Sequence, residues 1–280
     1  MKSFFKKLVS RVVRNDRLWK ILDSTVIRAS QYAELTRRAD QQRVVIDPAI
    51  HKFFPDLRVE HGPFRGLKYP QAQSINSALF PKLLGSYERE LEQILEKICR
   101  TKYSEIVDVG CAEGYYAVGL ALRIPSAKVF AYDSDPAARA MCQELADLNG
   151  VRSRIAIGSF CDGETLQAIP FTRKGLIFSD CEGYEKELFT PEVVSFLSPH
   201  DVLIETHDLV DIEISQEIRR RFKTTHVITA VQSIDDITKA HTYSYEELRN
   251  HNLSSRKILL AEDRAVIQEW LFMTPRRKKR

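Results

Sequence analysis

The sequence predicts an α/β fold in which a mostly parallel β-sheet carries helices on both faces. Residues 106–109 form an apolar strand pattern that runs into a glycine-containing turn and then into a helix pattern. A second strand pattern, Lys128–Tyr132, ends in an acid-rich turn and a proline that begins another helix. A strand, a turn, a helix and a second strand in this order form the first βαβ unit of a nucleotide-binding sheet.

The turn after the first strand contains Gly110 and Gly114 but no third glycine in phase, so it departs from the dinucleotide fingerprint. Glycine lets the backbone approach a ligand closely, and the following helix offers unpaired N–H groups at its start. Asp108 in the strand and Glu113 in the turn favour a cationic ligand such as S-adenosylmethionine over a pyrophosphate. The alternative is an ordinary strand-to-helix turn with chance glycines.

Asp133 follows the second strand, 19 residues after Gly114. Such folds place an acid there to bind the two ribose hydroxyls of the cofactor. Asp135 has a different predicted role, because an acid directly before Pro136 is typical of a helix N-cap. Ser134, between the two acids, is a further candidate cofactor contact. Two helix-capping acids without a ligand are the alternative.

These segments resemble the class I S-adenosylmethionine-dependent methyltransferases, on the basis of Val107–Gly110, Gly114–Tyr116 and Val129–Pro136. Further along, Asp180–Glu185 resembles the D-x-E-G-x-E signature of the FkbM-type branch, and Asp201–His207 resembles its next strand, which ends E-x-H. Ala112 and Ser134 depart from the branch, which usually has Asn and Pro there. The resemblance covers residues 62–273. It implies S-adenosylmethionine as cofactor and a Rossmann-like class I methyltransferase fold with a mostly parallel seven-stranded sheet.

The resemblance also implies cofactor contacts from two loops. In related enzymes the segment before the first strand often folds over the cofactor, which makes Tyr87 and Glu88 candidate contacts to its methionine end. The alternative is a surface helix capped by Ser86. The loop after the third strand usually lies against the adenine, so Phe160 is a candidate to line it, with a buried core phenylalanine as the alternative.

The fourth and fifth strand patterns deliver acids and a histidine to one crevice, since ligands bind outside the carboxyl ends of the strands in open α/β sheets. The fourth strand delivers Asp180 and Glu182, and the fifth delivers Glu205 and His207. Glu205 and His207 are two residues apart and share a face of the strand if it stays extended. The spacing of these residues matches no compact metal-ligand motif, so we predict no metal site.

Methyl transfer to a hydroxyl needs a group that takes the hydroxyl proton. We predict His207 as that base, because imidazole titrates near neutral pH, and we expect Glu205 to orient its ring. Asp180 or Glu182 then hold the acceptor or the ammonium group of the cofactor. The competing interpretation makes Asp180 the base and His207 a structural hydrogen-bonding residue.

The acceptor class is predicted partly from a missing motif. Methyltransferases that act on exocyclic base amines carry an Asn/Asp-Pro-Pro-aromatic turn after the fourth strand, whereas this chain has Asp180–Gly183 there. FkbM-type enzymes act on hydroxyls of sugars and natural products, which implies O-methylation of a glycan or glycolipid. Two alternatives stay open: methylation of a protein or small-molecule amine, and a non-catalytic domain that binds a membrane or a partner.

The chain has 280 residues, enough for one large domain with an extension. We expect a basic, mainly helical extension over residues 1–60, the main domain over 61–275 with Ala265–Met273 as its last strand, and a basic tail over 276–280. The net charge of +4 is small, so it does not call for a specific nucleic-acid partner. Five cysteines without a C-x-x-C pair fit a reducing cytoplasm better than a disulfide framework.

The first residues carry an apolar stripe at helical spacing, with lysines and arginines at the other positions; its apolar members are Phe4, Phe5, Leu8, Val9, Val12 and Val13. One interpretation is a helix that lies on an anionic membrane, at the inner membrane surface. We favour the other, in which the stripe packs on the main domain or on a second subunit of a homodimer. The segment matches neither a signal peptide nor a transmembrane helix.

Overall fold

The computed structural model describes residues 40–75 and 77–276, together with scattered positions between 14 and 37. The chain divides into two compact units, Met1–Ala49 and Ile50–Arg280. The predicted apolar stripe at residues 4–13 and the last four residues of the basic tail lie outside the described residues, and the predicted domain limits stay predictions. In the described part of the chain, no helix combines the length and the apolar character that crossing a membrane requires.

One seven-stranded sheet forms the centre of the second unit. Its strands, in chain order, are β1 (Glu105–Val109), β2 (Lys128–Tyr132), β3 (Ile155–Gly158), β4 (Leu176–Ser179), β5 (Asp201–Thr206), β6 (His226–Gln232) and β7 (Glu269–Pro275). Their spatial order is β3-β2-β1-β4-β5-β7-β6. The pairs from β3 through to β5 are parallel, and β7 is antiparallel to both of its neighbours. The predicted mostly parallel seven-stranded sheet is therefore confirmed.

From Asp47 onward the structure describes eleven α-helices, several of which connect the strands of the sheet. They are α1 (Asp47–Phe53), α2 (Leu79–Leu84), α3 (Glu92–Arg100), α4 (Tyr115–Arg123), α5 (Pro136–Leu148), α6 (Gly163–Gln167), α7 (Glu185–Leu188), α8 (Pro191–Phe196), α9 (Ile214–Phe222), α10 (Asp236–Thr242) and α11 (Leu253–Leu260). A π-helical turn precedes α1, and three short 3₁₀ turns lie at Arg89–Leu91, Arg152–Arg154 and Glu246–Leu248.

The central strands are buried on both faces, which is why they read as nearly continuous apolar runs. Every residue of β1, β4 and β5 is buried. The chain leaves β1 toward β2 and β3 on one side and returns to β4 on the other, so the strand order reverses between β1 and β4. Open α/β sheets bind their ligands at such a switch point, outside the carboxyl ends of the strands.

The predicted starts of two elements, the last strand and the helix after Ser86, are wrong. The last strand begins at Glu269 and not at Ala265, and Arg264 before it turns its side chain inward to bind Glu205 and Glu88. Ser86 does not cap a helix. Instead Glu88 adopts a left-handed backbone with φ 49°, a 3₁₀ turn follows it, and the α-helix starts only after that turn.

The turns after β1 and β4 pass so close together that a side chain at Gly110 has no room. A Cβ there would stand 1.7 Å from the carbonyl oxygen of Asp180, and Gly110 has φ +83°. We expect Gly110→Ala to lower the free energy of unfolding by about 2–5 kcal/mol, since about 1–3 kcal/mol of overpacking adds to about 1–2 kcal/mol of left-handed strain.

Gly150 is the matched control, because it has φ +68° but nothing within 4 Å of the added Cβ. Gly150→Ala should therefore cost only the left-handed strain, about 1–2 kcal/mol. Urea unfolding of both variants measures the two losses. Equal losses would show that the two turns can separate enough to accept a methyl group.

Candidate cofactor and acceptor site

A pocket opens at the carboxyl ends of β1 to β4. Five of the predicted cofactor residues line it: Gly110, Asp133, Ser134, Phe160 and Asp180. Glu182 from the predicted acceptor side also lines it. Three other predicted cofactor residues, Asp108, Glu113 and Gly114, lie behind the lining.

The glycine turn is held in a left-handed conformation at three alternate positions, Gly110 (φ +83°), Ala112 (φ +45°) and Gly114 (φ +95°). A Cβ at Gly114 would stand 2.8 Å from Cys142 Sγ, so this glycine permits close packing of α4 on α5. Asparagine tolerates the left-handed region better than alanine. That tolerance gives a physical reason for the asparagine that the FkbM-type pattern has where Ala112 stands.

Asp133 is fixed in orientation by two backbone groups. Its Oδ2 accepts from the Ala112 N–H at 2.8 Å, and its Oδ1 accepts from the Asp135 N–H at 2.8 Å. Each carboxylate oxygen keeps a lone pair for a further donor, so two neighbouring hydroxyls can be bound together. The predicted helix cap is confirmed, because Asp135 accepts from the Ala137 N–H at 2.8 Å with Pro136 at the first helical position.

Asp108 is a buried acid beneath the pocket. Neither of its carboxylate oxygens makes a hydrogen bond of normal geometry with the described residues. Burial, together with the nearby Asp180 and Asp133 carboxylates, raises the pKa of Asp108 to about 8 against the opposing effect of the Ala117 backbone N–H. A positive charge bound above it would favour the ionised form.

Glu113 does not reach the pocket; it binds the segment before β1. Lys82 Nζ lies 2.5 Å from Glu113 Oε1, and both side chains are almost fully buried. Ser74 Oγ donates to the same carboxylate at 2.8 Å, and Tyr69 Oη donates at 3.2 Å. Burial opposes its ionisation, but the Lys82 ammonium and the hydrogen bonds outweigh burial and lower the pKa of Glu113. The acid therefore clamps residues 69–82 onto the glycine turn.

The clamped segment forms one wall of the pocket. Ile75, Ser77, Lys82 and Tyr87 all line it, in keeping with a segment that folds over the cofactor. On the opposite side, the rings of Phe160 and Tyr184 lie with centroids 5.3 Å apart. They provide an apolar surface where the resemblance places the adenine.

His207 is held between carboxylates. Its Nδ1 lies 2.5 Å from Glu185 Oε1, and its Nε2 lies 3.3 Å from Asp180 Oδ1. Burial alone lowers the pKa of His207, but the hydrogen-bonded carboxylates of Asp180 and Glu185 outweigh it and raise the pKa to about 10. The ring is protonated at neutral pH in this arrangement, which does not favour the predicted role of His207 as a base.

Glu205 has a different partner from the predicted one. It accepts a hydrogen bond from Arg264, whose guanidinium also binds Glu88 and Glu262. Burial raises the pKa of Glu205, nearby Asp180 and Glu88 add to the rise, and Arg264 opposes it. The acid that orients the His207 ring is Glu185, which is fully buried.

Three site residues escaped the sequence analysis. Glu185 had a signal, since it is the last acid of the quoted D-x-E-G-x-E segment. Lys82 stands out as a cation within the apolar run Leu79–Leu84. Arg264 had no local signal, because its partner Glu205 lies 59 residues away and its partner Glu88 lies 176 residues away.

Asp180, Glu205 and His207 also meet the spacing for a metal ion, since their ligand atoms lie within 4.8 Å of one another. In the structure these groups are already engaged in charge pairs. Glu205 binds Arg264, and both ring nitrogens of His207 face carboxylates. The arrangement of the described residues is that of a paired charge cluster.

Comparison with known proteins adds to this geometry. Residues 91–171 match the family model of ribosomal protein L11 methyltransferase (PrmA). A curated relative, the release factor glutamine methyltransferase of Deinococcus radiodurans, is 36% identical over 73 residues, which are 26% of this chain and 26% of the relative. The fold is that of the class I S-adenosylmethionine-dependent methyltransferases. The family match supports S-adenosylmethionine as the cofactor.

Solved structures with likeness to this methyltransferase fold are distant. Precorrin-6y C5,15-methyltransferase from Geobacter metallireducens has a TM-score of 0.46 at 9% identity, with 68% of this chain and 89% of that chain covered. The O-methyltransferase TomG from Streptomyces achromogenes, in complex with SAM, has a TM-score of 0.44 at 12% identity, with 68% and 81% covered. The strand order β3-β2-β1-β4-β5-β7-β6 is the feature of the structure that defines the fold.

The match to the family model lies in the cofactor half of the fold. The matched segment ends at residue 171, before β4 begins at Leu176. The chain spans about a quarter of the curated relative that it matches. The methyl acceptors in the names of the family model and of the curated relative are therefore not assigned to this chain.

The pocket fits S-adenosylmethionine on three observations. Gly110 lets the turn pass close to Asp180, where a Cβ would stand 1.7 Å from the Asp180 carbonyl oxygen, and two backbone N–H groups orient the Asp133 carboxylate as binding of two ribose hydroxyls would require. The unpaired buried carboxyl of Asp108 is suited to a cationic ligand. Asp108 lies in β1, Gly110 follows that strand directly, and Asp133 follows β2.

Asp133→Ala should weaken S-adenosylmethionine binding by about 1.5–3 kcal/mol, the range for loss of charge-assisted hydrogen bonds. Asp162→Ala is the matched control, because Asp162 caps a helix outside the pocket lining. Calorimetric titration of both variants gives the two affinities. Equal affinity in Asp133→Ala and the wild type would remove Asp133 from the cofactor site.

The raised pKa of His207 predicts a pH dependence of stability. A folded-state pKa of about 10 lies above the ordinary value of 6.5, so the contribution is complete below about pH 6.5 and is lost as the pH rises through about 10. The difference in Tm between the wild type and His207→Gln should shrink across that window. A difference that stays constant from pH 6 to 10.5 would contradict the charged ring.

Proposed function

We propose that this chain is a methyltransferase of the FkbM type, which transfers the methyl group of S-adenosylmethionine to a hydroxyl of a sugar, glycolipid or natural product. The observation that carries the proposal is the position of Asp180. This acid lines the cofactor pocket, and its Oδ1 lies 3.3 Å from His207 Nε2. A carboxylate in the pocket lining supports Asp180 as the group that takes the proton from an acceptor hydroxyl.

The three acids of the D-x-E-G-x-E segment have separate places, which supports assignment to the FkbM-type branch. Asp180 faces the pocket, and Glu182 is largely exposed at its mouth. Glu185 is fully buried and holds the Nδ1 of His207. A segment that served packing alone would not need all three acids.

In the proposed mechanism, the cofactor when bound supplies an electrophilic methyl group on its sulfonium. Asp180 takes the hydroxyl proton as the acceptor oxygen forms its bond to the methyl carbon, and the electron pair of the broken C–S bond stays on sulfur. His207, protonated and held by Glu185, pairs with the neighbouring Asp180 carboxylate. The aromatic side chains of Tyr87, Tyr115 and Tyr116 line the same pocket and exclude water from it.

An amine on a protein or a small molecule is the second candidate acceptor. Exposed Glu182 and the pocket acids Asp133, Asp135 and Asp180 would attract an ammonium ion. Asp180 would then take a proton from nitrogen before the attack. We favour a hydroxyl acceptor over an amine because of the resemblance at Asp180–Glu185. If the protein has a non-catalytic role, it would bind the cofactor without turnover.

Asp180→Asn should lower turnover by about 10²–10⁴, the usual contribution of a general base. Glu182→Gln is the control, since it removes an exposed acid of the same segment and should change turnover only a few-fold. Transfer of labelled methyl from S-adenosylmethionine to compounds of a cell extract provides the assay. If Asp180→Asn retains turnover while His207→Ala loses it, the base is His207, as the sequence alone predicts.

A further inference from the structure

Exposed apolar side chains are concentrated at one edge of the sheet. Ten large apolar side chains are exposed among the described residues from Ile50 onward, and seven of them lie at the edge formed by the carboxyl ends of the parallel strands. These seven form what we call the apolar rim: Phe160, Leu209, Val210, Ile212, Ile237, Val266 and Ile267. The other three are Leu148, Val227 and Leu253.

The topology of the sheet explains why the residues of the apolar rim lie at one edge. Its members follow β3, β5 and β6 or precede β7, and β7 is antiparallel, so its start lies beside the end of β5. Neighbouring loops touch along this edge. Phe160 packs on Tyr184 in the loop after β4, and a Cβ at Gly183 in that loop would stand 2.9 Å from Val210. The rim therefore borders the cofactor pocket.

The turn between β5 and α9 presents the most exposed members of the rim. Leu209 is 65% exposed and Ile212 is 83% exposed. Monomeric proteins rarely show contiguous apolar patches beyond a few hundred Å², and larger patches mark interaction sites. Three large aliphatic side chains within four residues, all facing solvent, call for an apolar environment.

Several polar groups of this turn have partners in the turn itself or in adjacent helices. The Val210 N–H donates to the His207 carbonyl at 2.8 Å. Asp208 accepts from both the N–H and the hydroxyl of Ser215, at 2.8 and 2.6 Å, and Asp211 is paired with Lys186 at 2.6 Å. Because these acids and the Val210 N–H already have partners, insertion of the neighbouring aliphatic side chains into an apolar phase would not leave those groups unpaired.

The charged side chains beside the apolar rim indicate which kind of lipid surface it can bind. Glu182 and Glu213 are exposed acids beside the turn, with side chains 78% and 73% accessible. They would be repelled by anionic lipid headgroups. A surface of zwitterionic lipid gives no such repulsion, and it still offers the apolar phase that the aliphatic side chains require.

We infer that the apolar rim docks this edge of the sheet onto a zwitterionic lipid surface, with Leu209 and Ile212 inserted below the headgroups. The mouth of the pocket then faces the lipid. This contact is distinct from the membrane interpretation of the basic N-terminal segment, which requires anionic lipid and weakens with salt. Docking needs neither cofactor nor acceptor.

Flotation of the full chain with phosphatidylcholine vesicles tests this contact. We expect the wild type to float with the vesicles at low salt and at about 1 M salt, where the Debye length is only about 3 Å. Leu209→Ser/Ile212→Ser should lower the partition coefficient at least about tenfold, because each aliphatic side chain contributes through its buried apolar area. Its thermal unfolding should match that of the wild type, since both positions are exposed.

Leu148→Ser/Leu253→Ser is the matched control, with two leucines that are 47% and 48% exposed outside the rim, and it should float like the wild type. Three results would overturn the inference. They are no flotation of the wild type, flotation that needs anionic lipid or disappears with salt, and equal flotation of the rim variant. A wild-type dimer that the rim variant splits, without flotation, would assign the rim to a second copy of the chain.

Discussion

Pairing of buried charge holds the carboxyl edge of the sheet together. The guanidinium of Arg264 binds Glu88, Glu205 and Glu262, and Lys239 binds Glu262 from the other side. Loss of one partner from such a pair costs about 3–5 kcal/mol, because a buried charge is left uncompensated. The end of β5, the left-handed turn at Glu88 and the loop before β7 are all fixed by this cluster. The acids still outnumber the cations, and burial raises the pKa of Glu88 to about 7 against the opposing effect of Arg264, which makes the edge receptive to a cationic ligand.

The cofactor half of the fold could be predicted from the sequence because its signals are local. Gly110, Asp133 and Asp135 stand within one βαβ unit, where the order of elements and the cap chemistry specify each position. The partners of the buried acids could not be predicted in this way. Lys82 is 31 residues from Glu113, and no spacing rule connects residues that meet only after the sheet has formed.

The roles of Glu205 and His207 show where local reasoning fails on the acceptor side. Residues two apart share a face only while the strand continues, and β5 ends at Thr206, before His207. His207 therefore turns to Glu185, which the short helix after β4 places beside it. The ordinary pKa of imidazole suggested a base, whereas two carboxylates around the ring make it a cation. Burial and charge partners, which decide proton affinity, are properties of the folded site.

The bond between Lys82 and Glu113 limits how this domain can be divided. Residues 91–171 match a methyltransferase family by themselves, which suggests a module that could be moved into another protein. That segment includes Glu113 but leaves Lys82, Ser74 and Tyr69 behind. A transplanted module would thus bury the Glu113 carboxylate without the Lys82 ammonium and the two hydroxyl groups that stabilise its charge. Chimaeras of this fold therefore need residues 69–91 as well, and recombination within that stretch would be selected against.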